Sequence, residues 1–259
     1  HERERSDAHP VYAAFRRMPV SEIFSREETR ETVIPAYMGL VKQIDDHLGR
    51  VLAFLETSGR MDDTMIVFTS DHGDYLGDHW LGEKEWFHEP SSRVPLIVYD
   101  PDPRAQATRG TTDDRFAEGV DIVPTLLEAF DVERPTHRLE GRSLLAGIRG
   151  VRDASDRRWR EAAFSEIDYT FYRARLTLGL ASDQGRAYMI RTDRWKYVWY
   201  KGFRPQLFDL GDDPRELEDL GASASHAGIL AEHQALLLDR LTALFAELLM
   251  RVVKRHMDV

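Results

Sequence analysis

The first quarter of the chain carries apolar residues at the spacing of one helical face. From Ile34 onward, these positions are Tyr37, Met38, Val41, Ile44, Leu48, Val51, Leu52 and Leu55. Such a stripe is typical of a helix that buries one side, and Gly59 stands where a helix commonly ends. The preceding residues 1–32 are mostly polar and include Pro10 and Pro19, which predicts irregular structure leading into this helix.

Two short runs are apolar and rich in residues that favour strands. They comprise Met65–Thr69 and Leu96–Tyr99. Unbroken runs of this length suit strands that are buried on both faces of a parallel sheet, and a helix before each strand fits a layered α/β architecture. Residues 100–118 have the composition of a surface loop, and Asp121–Phe130 has the pattern of another helix.

The pattern changes after about residue 160. Ala187–Arg191 and Trp195–Tyr200 flank a Thr-Asp-Arg turn and predict an antiparallel hairpin, to which Gln206–Leu210 adds a third strand. A long helix is predicted from about Ile229 to Val253. We therefore expect two domains: an α/β core over residues 1–155 and a smaller α+β subdomain over 156–259. The terminal helix is apolar around much of its circumference, so it must be covered by its own domain or by another subunit. We expect a homo-oligomer in which this helix contributes to the interface.

The composition and net charge of the chain limit the kinds of molecule that it is expected to bind. The 259 residues include 45 acidic and 35 basic side chains, for a net charge of −10. The basic residues are scattered, so nucleic acid is not an expected partner. An anionic substrate is compatible with the negative net charge, because a bound cation reverses the local field.

The chain has no cysteine and no apolar run near the ~20 residues of a membrane helix. We expect a cytoplasmic protein without a membrane partner. The first methionine is Met18, so we also expect that an N-terminal part precedes this chain.

The segment Ser70–His79, with the sequence Ser-Asp-His-Gly-Asp-Tyr-Leu-Gly-Asp-His, carries the first candidate chemistry. It follows the first apolar run at its C-terminal end, where open α/β sheets place their ligands. Because neighbours in a strand point to opposite faces, Asp71 and His72 converge on one ion only if the backbone turns, as Gly73 permits. A carboxylate beside an imidazole suits one divalent Mn, Zn or Fe ion better than Ca. The structural alternative is a turn in which Asp71 caps the next helix.

The segment Gly82–Pro95 carries the second candidate. It places one lysine, Lys84, among three glutamates. Such clusters are commonly self-paired and solvated. In a functional interpretation, the Lys84 ammonium contacts a phosphoryl or sulfuryl oxygen and offsets charge on the leaving group. His88 is a candidate for substrate binding, although a histidine beside aromatic residues more often has a structural role.

These two segments resemble the C-terminal half of the sulfatase family. Many sulfatases have Asp-Asn where this chain has Asp71-His72. With a histidine at the second of these positions, the chain resembles bacterial phosphonate monoester hydrolases. Further segments that resemble the family, in the family's order, are Ala36–Asp46, Val120–Leu126, Glu140–Leu145, Arg194–Tyr197 and Leu207–Glu216.

The resemblance implies a fold, an activity and roles for single residues. The expected fold is the C-terminal part of an alkaline-phosphatase-like α/β sandwich, followed by the small antiparallel-sheet subdomain. The expected activity is metal-dependent hydrolysis of phosphonate monoesters or phosphodiesters, with some sulfate esters, so the expected partner is a small anionic ester. Asp71 and His72 would bind one divalent ion (Mn, Zn, Fe or Ca), and Lys84 would contact a substrate oxygen and act in catalysis.

One departure from the family concerns the nucleophile. The family uses a formylglycine made from cysteine, or a serine, in a Cys/Ser-x-Pro-Ser-Arg motif. This chain has no cysteine, and Pro90–Arg93 (Pro-Ser-Ser-Arg) lacks the motif's spacing. We therefore expect the formylglycine in a missing N-terminal half, and an inactive fragment in its absence.

Two other functions remain open at this point. A true sulfatase would differ in the substrate pocket, of which this chain holds only part. A non-catalytic module would use the aromatic-rich hairpin and the terminal helix for binding or assembly.

Overall fold

The structure, a computed structural model, describes residues 8–135, 139–151 and 159–257, without the side chains of residues 247 and 250–257. Two compact units share the chain: His1–Arg115 with Ser143–Trp159, and Phe116–Arg142 with Arg160–Val259. Residues 116–142 thus belong to the second unit. The division into two domains at residue 155 stays a prediction.

The elements follow one another in a simple order. The helices are α1 (Pro10–Phe15), α2 (Pro19–Glu22), α3 (Glu27–Thr57), α4 (Glu89–Ser92), α5 (Ile122–Ala129), α6 (Leu145–Ile148), α7 (Arg173–Thr177) and α8 (Ala227–Met257). The strands are β1 (Ile66–Thr69), β2 (Leu96–Tyr99), β3 (Ala163–Asp168), β4 (Arg186–Arg191), β5 (Trp195–Tyr200) and β6 (Gln206–Asp209). Short 3-10 turns lie at Ile23–Ser25, Met61–Asp63, Asp78–Trp80, Pro103–Thr108, Gly119–Asp121, Ser182–Gln184 and Ala224–His226.

The region predicted to be irregular before the long helix contains two short helices instead. Pro10 and Pro19 each lie in the first turn of their helix, α1 and α2. Proline is favoured there, because its fixed φ suits a helix and its missing N–H has no partner in the first turn. The two prolines thus start helices in this chain, and the prediction of irregular structure was wrong for the described residues of this region.

The long helix is confirmed, and it begins earlier than the apolar stripe. Glu27 and Glu28 lie in the first turn of α3, where acidic side chains stabilise the helix dipole. Gly59 follows the helix with φ +71°, as expected for a C-terminal glycine. The apolar stripe of α3 is not buried against the described residues: Met38 is 58% exposed and Val51 is 53% exposed.

The pairing of β1 with β2 corrects one prediction. The two strands are antiparallel, with Ile66 opposite Tyr99 and Thr69 opposite Leu96, rather than members of a parallel sheet. They are also half-buried rather than fully buried, and Ile97 is 62% exposed. An apolar run indicates a strand but carries no information on strand direction, because direction depends on the path of the connecting chain.

The second unit contains a four-stranded antiparallel sheet in the order β3-β4-β5-β6. The predicted β4–β5 hairpin and the third strand β6 are confirmed. Strand β3 was not predicted; it lies at the edge of the sheet, and its charged residues Glu166 and Asp168 weaken the apolar pattern. The α/β class with a smaller antiparallel-sheet part is therefore confirmed.

Helix α8 covers one face of this sheet. Leu237 joins a buried cluster with Ile190, Tyr197 and Leu207 from the strands. Further along the helix, Phe245 and its neighbours Leu248 and Leu249 are more than half exposed. The side chains of Val252 and Val253 lie outside the described part of the structure. Assembly through this helix stays a prediction.

An ion pair ties the β4–β5 turn to the end of β6. The Arg194 guanidinium donates two hydrogen bonds to the Asp209 carboxylate, from Nε to Oδ1 at 2.8 Å and from Nη2 to Oδ2 at 2.7 Å. The hydrogen bonds from Arg194 hold the pKa of the Asp209 carboxyl below its usual value, despite partial desolvation. The folded state therefore favours the ionised form.

We expect Asp209→Asn to lower the free energy of unfolding at pH 7 by about 1 kcal/mol, since half of the Arg194 side chain is exposed and solvent screens the pair. The folded-state pKa lies below the unfolded value of about 3.9. The stabilisation is thus complete above that value and disappears as the pH falls through the folded-state pKa. Urea unfolding of the full-length protein between pH 7 and pH 3 measures this pH dependence.

The control is Asp212→Asn, which alters an 81% exposed carboxylate that also contacts Arg194. It should change the free energy of unfolding little. A deficit in Asp209→Asn that is as large at pH 3 as at pH 7 would contradict the assignment.

Candidate functional site

The backbone turns directly after β1 ends at Thr69. Ser70 Oγ donates to the carbonyl of His72 at 2.7 Å, and the amide of His72 donates to Asp71 Oδ1 at 3.1 Å. These local bonds take the place of strand pairing and bring two neighbouring side chains together. As a result, Asp71 Oδ2 lies 3.5 Å from His72 Nε2.

The hydrogen bonds of His72 define which ring nitrogen carries the proton. Its Nδ1 lies 2.7 Å from the carbonyl oxygen of Gly73. A carbonyl only accepts, so Nδ1 is the donor in this contact. The Lys84 ammonium only donates, so Nε2 is the acceptor in its contact with Lys84. A backbone carbonyl behind the ring is the usual support of a histidine that binds a metal through its other nitrogen. His72 is thus oriented to present Nε2 as a ligand.

The Lys84 ammonium lies against that lone pair, with Nζ at 2.7 Å from His72 Nε2. Lys84 follows an unusual loop, Leu76–Glu83, in which four non-glycine residues adopt left-handed backbone angles: Leu76, His79, Trp80 and Glu83, with φ between +46° and +61°. Such conformations cost free energy and are concentrated at functional sites, where the surrounding structure enforces them. The structure therefore brings together Asp71, His72 and Lys84, three of the four residues predicted for the site.

The Asp71 carboxylate is exposed and carries a charge at neutral pH. Partial desolvation raises its pKa, but hydrogen bonds from the backbone N–H groups of Asp71 and His72 and the electrostatic influence of the His72 and Lys84 side chains outweigh this effect. The pKa of the Asp71 carboxyl therefore lies below its usual value. An ionised carboxylate is the form that binds a divalent cation.

The geometry of the pair fits a shared ion. Two ligands at bond lengths of about 2.1 Å and a tetrahedral angle lie about 3.4 Å apart, close to the 3.5 Å between Asp71 Oδ2 and His72 Nε2. In the described part of the chain, no three His, Cys, Asp or Glu side chains converge as a metal site. Asp71 and His72 can therefore supply part of a ligand set.

His88 lies in a buried aromatic cluster. Its side chain is 3% exposed, its ring stacks on that of His79 with centroids 3.7 Å apart, and its Nδ1 lies 2.9 Å from Tyr75 Oη. These contacts give His88 a packing role beneath the loop. Its role in substrate binding stays a prediction.

None of the helices in the described ranges has the length and apolar character needed to cross a membrane.

Two family models match the chain. Residues 6–132 match the sulfatase model, and residues 77–243 match the C-terminal model of N-sulphoglucosamine sulphohydrolase. Together they include both segments of the candidate site.

Similar proteins include both phosphonate hydrolases and sulfatases. The multifunctional alkaline phosphatase superfamily protein PehA of Trinickia caryophylli is 36% identical over 76% of this chain and 38% of its own length. An arylsulfatase of Clostridium perfringens is 32% identical over 71% of this chain and 35% of its own. Among solved structures, the phosphonate monoester hydrolase SpPMH of Silicibacter pomeroyi aligns with a TM-score of 0.81 and 27% identity, covering 94% of this chain and 49% of that one.

The chain spans less than half the length of each of these relatives. The match to the C-terminal family model extends over more than half of this chain, and the similar structure covers nearly all of it. The chain therefore belongs to the sulfatase family of the alkaline phosphatase superfamily.

Proposed function

We propose that the protein that carries this chain hydrolyses phosphonate monoesters and phosphodiesters, and some sulfate esters more slowly. The observation that carries the proposal is the meeting of Asp71, His72 and Lys84 at the end of β1, with His72 Nε2 presented as a ligand. The similarity to a protein named as a phosphonate monoester hydrolase supports the same substrate class.

In this proposal, Asp71 and His72 hold a single divalent ion (Mn, Zn, Fe or Ca) together with ligands from outside this chain. Such an ion, when bound, acts as a Lewis acid toward the charged oxygens of the ester. The contact between Nδ1 of His72 and the Gly73 carbonyl would orient the ring so that Nε2 faces the ion. The Asp71 carboxylate offsets the positive charge of the ion. Both residues would thereby help to position the substrate's anionic group.

Lys84 has a different role. Its ammonium lies 2.7 Å from His72 Nε2, and it donates hydrogen bonds without accepting any. If His72 held the ion through Nε2, the Lys84 ammonium would donate to an oxygen of the ester instead. A cation fixed there stabilises the negative charge that grows on the leaving oxygen.

The nucleophile comes from outside residues 1–259 in this proposal. The chain has no cysteine from which formylglycine could form, and its Pro-Ser-Ser-Arg segment serves another purpose, since the Ser91 hydroxyl donates to the carbonyl of Lys84. The formylglycine predicted from the family resemblance would therefore belong to another part of the full-length protein, and residues 1–259 alone should show no turnover.

Sulfate ester hydrolysis is the second candidate, because an arylsulfatase is among the similar proteins. Rates on the phosphate diester, the phosphonate monoester and the sulfate ester of one alcohol, 4-nitrophenol, distinguish the two in the full-length protein. We expect kcat/KM to be higher for the two phosphorus esters. A higher value for the sulfate ester would replace the proposal with a sulfatase, and the absence of turnover on all three would favour a non-catalytic module.

A further inference from the structure

The short helix α4 contacts both segments of the candidate site through one residue. The backbone amide of Gly73, next to His72, donates to the carbonyl of Ser91 at 2.7 Å. The side-chain hydroxyl of Ser91 donates to the backbone carbonyl of Lys84. Ser91 is 3% exposed, so both bonds are shielded from competing water. One buried serine thus joins the chain beside His72 to the chain at Lys84.

The contact on the Gly73 side is unusually close. A Cβ atom added to Gly73 would meet the carbonyl oxygen of Pro90 at 2.0 Å, well inside any tolerated contact. Only glycine allows the backbone to lie this near to α4. The turn that carries Asp71 and His72 is therefore held against the same helix that carries Ser91.

The contact on the Lys84 side ends a loop that has its own internal bonds. The amide of Tyr75 donates to the carbonyl of Glu83 at 2.9 Å, and the amide of Gly77 donates to that of Leu81 at 2.9 Å. These bonds set the shape of the loop. The Ser91 hydroxyl then fixes the point at which the loop ends, immediately before the Lys84 side chain projects toward His72.

We propose that Ser91 is a positioning residue that holds Lys84 at hydrogen-bonding distance from His72. The expected effect of Ser91 on catalysis rests on the proposed function. Its expected effect on the position of Lys84 rests on the hydrogen bonds alone. In this proposal, Ser91 does not contact the reacting atoms of the ester. Its hydroxyl acts through the backbone of Lys84, and its carbonyl acts through the backbone of Gly73.

Ser91→Ala removes the hydroxyl and leaves the Lys84 carbonyl without that donor. A displacement of about 1 Å at a catalytic group can cost up to a hundredfold in rate. We expect kcat to fall about tenfold, an intermediate loss because the lysine remains present but less well placed. KM and metal content should stay close to their original values. In a Lys84→Ala background, Ser91→Ala should cause no further fall in kcat, since the group that it positions is gone.

The matched control is Ser92→Ala. Ser92 lies in the same helix, and its hydroxyl donates to the carbonyls of Phe87 and His88, at 3.0 Å and 3.1 Å. The Ser92→Ala variant loses a comparable side-chain hydrogen bond, and this bond does not involve Lys84 or Gly73. We expect its kcat to equal that of the unaltered protein. Equal losses in Ser91→Ala and Ser92→Ala would overturn the inference and indicate general loosening of α4.

A second measurement does not depend on turnover. In full-length protein with ¹⁵N-labelled histidine and no added metal, the Nε2 resonance of His72 reports the hydrogen bond from Lys84. Lys84→Ala should shift this resonance, Ser91→Ala should shift it in the same direction, and Ser92→Ala should not. A resonance unchanged in Ser91→Ala overturns the inference. If the Nε2 resonance shifts as expected but the protein hydrolyses none of the esters, Ser91 still positions Lys84 and the proposed function is rejected.

Discussion

His72→Ala is expected to lower both the metal content and the hydrolytic activity of the full-length protein by at least a hundredfold. The imidazole presents Nε2 beside the Asp71 carboxylate, with its Nδ1 proton held by the Gly73 carbonyl. Loss of a residue that only supports a metal ligand costs about 10- to 100-fold in affinity or activity, so loss of the ligand itself should cost at least the upper value. Elemental analysis after dialysis and kcat/KM for one phosphonate monoester measure the two effects.

The control for this prediction is His47→Ala, which removes an exposed histidine from α3. It should change neither metal content nor rate. If His72→Ala retains both its metal and its activity, His72 is not a ligand, and the turn after β1 is then a structural strand end.

Lys84→Ala is expected to lower kcat about a hundredfold, which corresponds to ~3 kcal/mol of transition-state stabilisation. The loss should be largest for esters with poor leaving groups, because these develop the most negative charge on the departing oxygen. A fixed ammonium therefore stabilises their transition states more than their ground states. Kinetics across a series of aryl phosphonate esters with leaving groups of increasing pKa measure this dependence.

Lys42→Ala is the control, since Lys42 is an exposed lysine on α3 paired with Asp46. It should leave the rates unchanged across the series. If Lys84→Ala slows every ester by the same factor, Lys84 holds the substrate in place without stabilising the leaving group. If it slows none, Lys84 only contacts His72 and its neighbouring glutamates.

The local elements could be predicted from the sequence because their causes are local. The apolar stripe of α3 and the β4–β5 hairpin with its Thr-Asp-Arg turn follow from side-chain periodicity and turn chemistry. The pair Asp71 and His72 could also be proposed as partners, since a glycine directly after a strand allows the chain to turn. The edge strand β3 was missed because its charged residues give no apolar pattern.

The approach of Lys84 to His72 could not be derived from spacing. Twelve residues separate them, and the intervening loop uses left-handed backbone angles that its non-glycine residues do not favour. Only the family resemblance suggested that the two segments share a site. Ser91 gave no sequence signal for its position either, because its two bonds join segments that meet only in the folded chain.

The sequence by itself determined the family, the α/β class and three candidate residues, because these depend on the order and chemistry of neighbouring side chains. The tertiary structure decided the antiparallel pairing of β1 with β2, the inclusion of residues 116–142 in the second unit, and the links from Ser91 to Lys84 and Gly73. Each of these depends on hydrogen bonds and contacts between distant segments. Such contacts form only when burial of the whole unit offsets the conformational entropy lost in bringing the segments together.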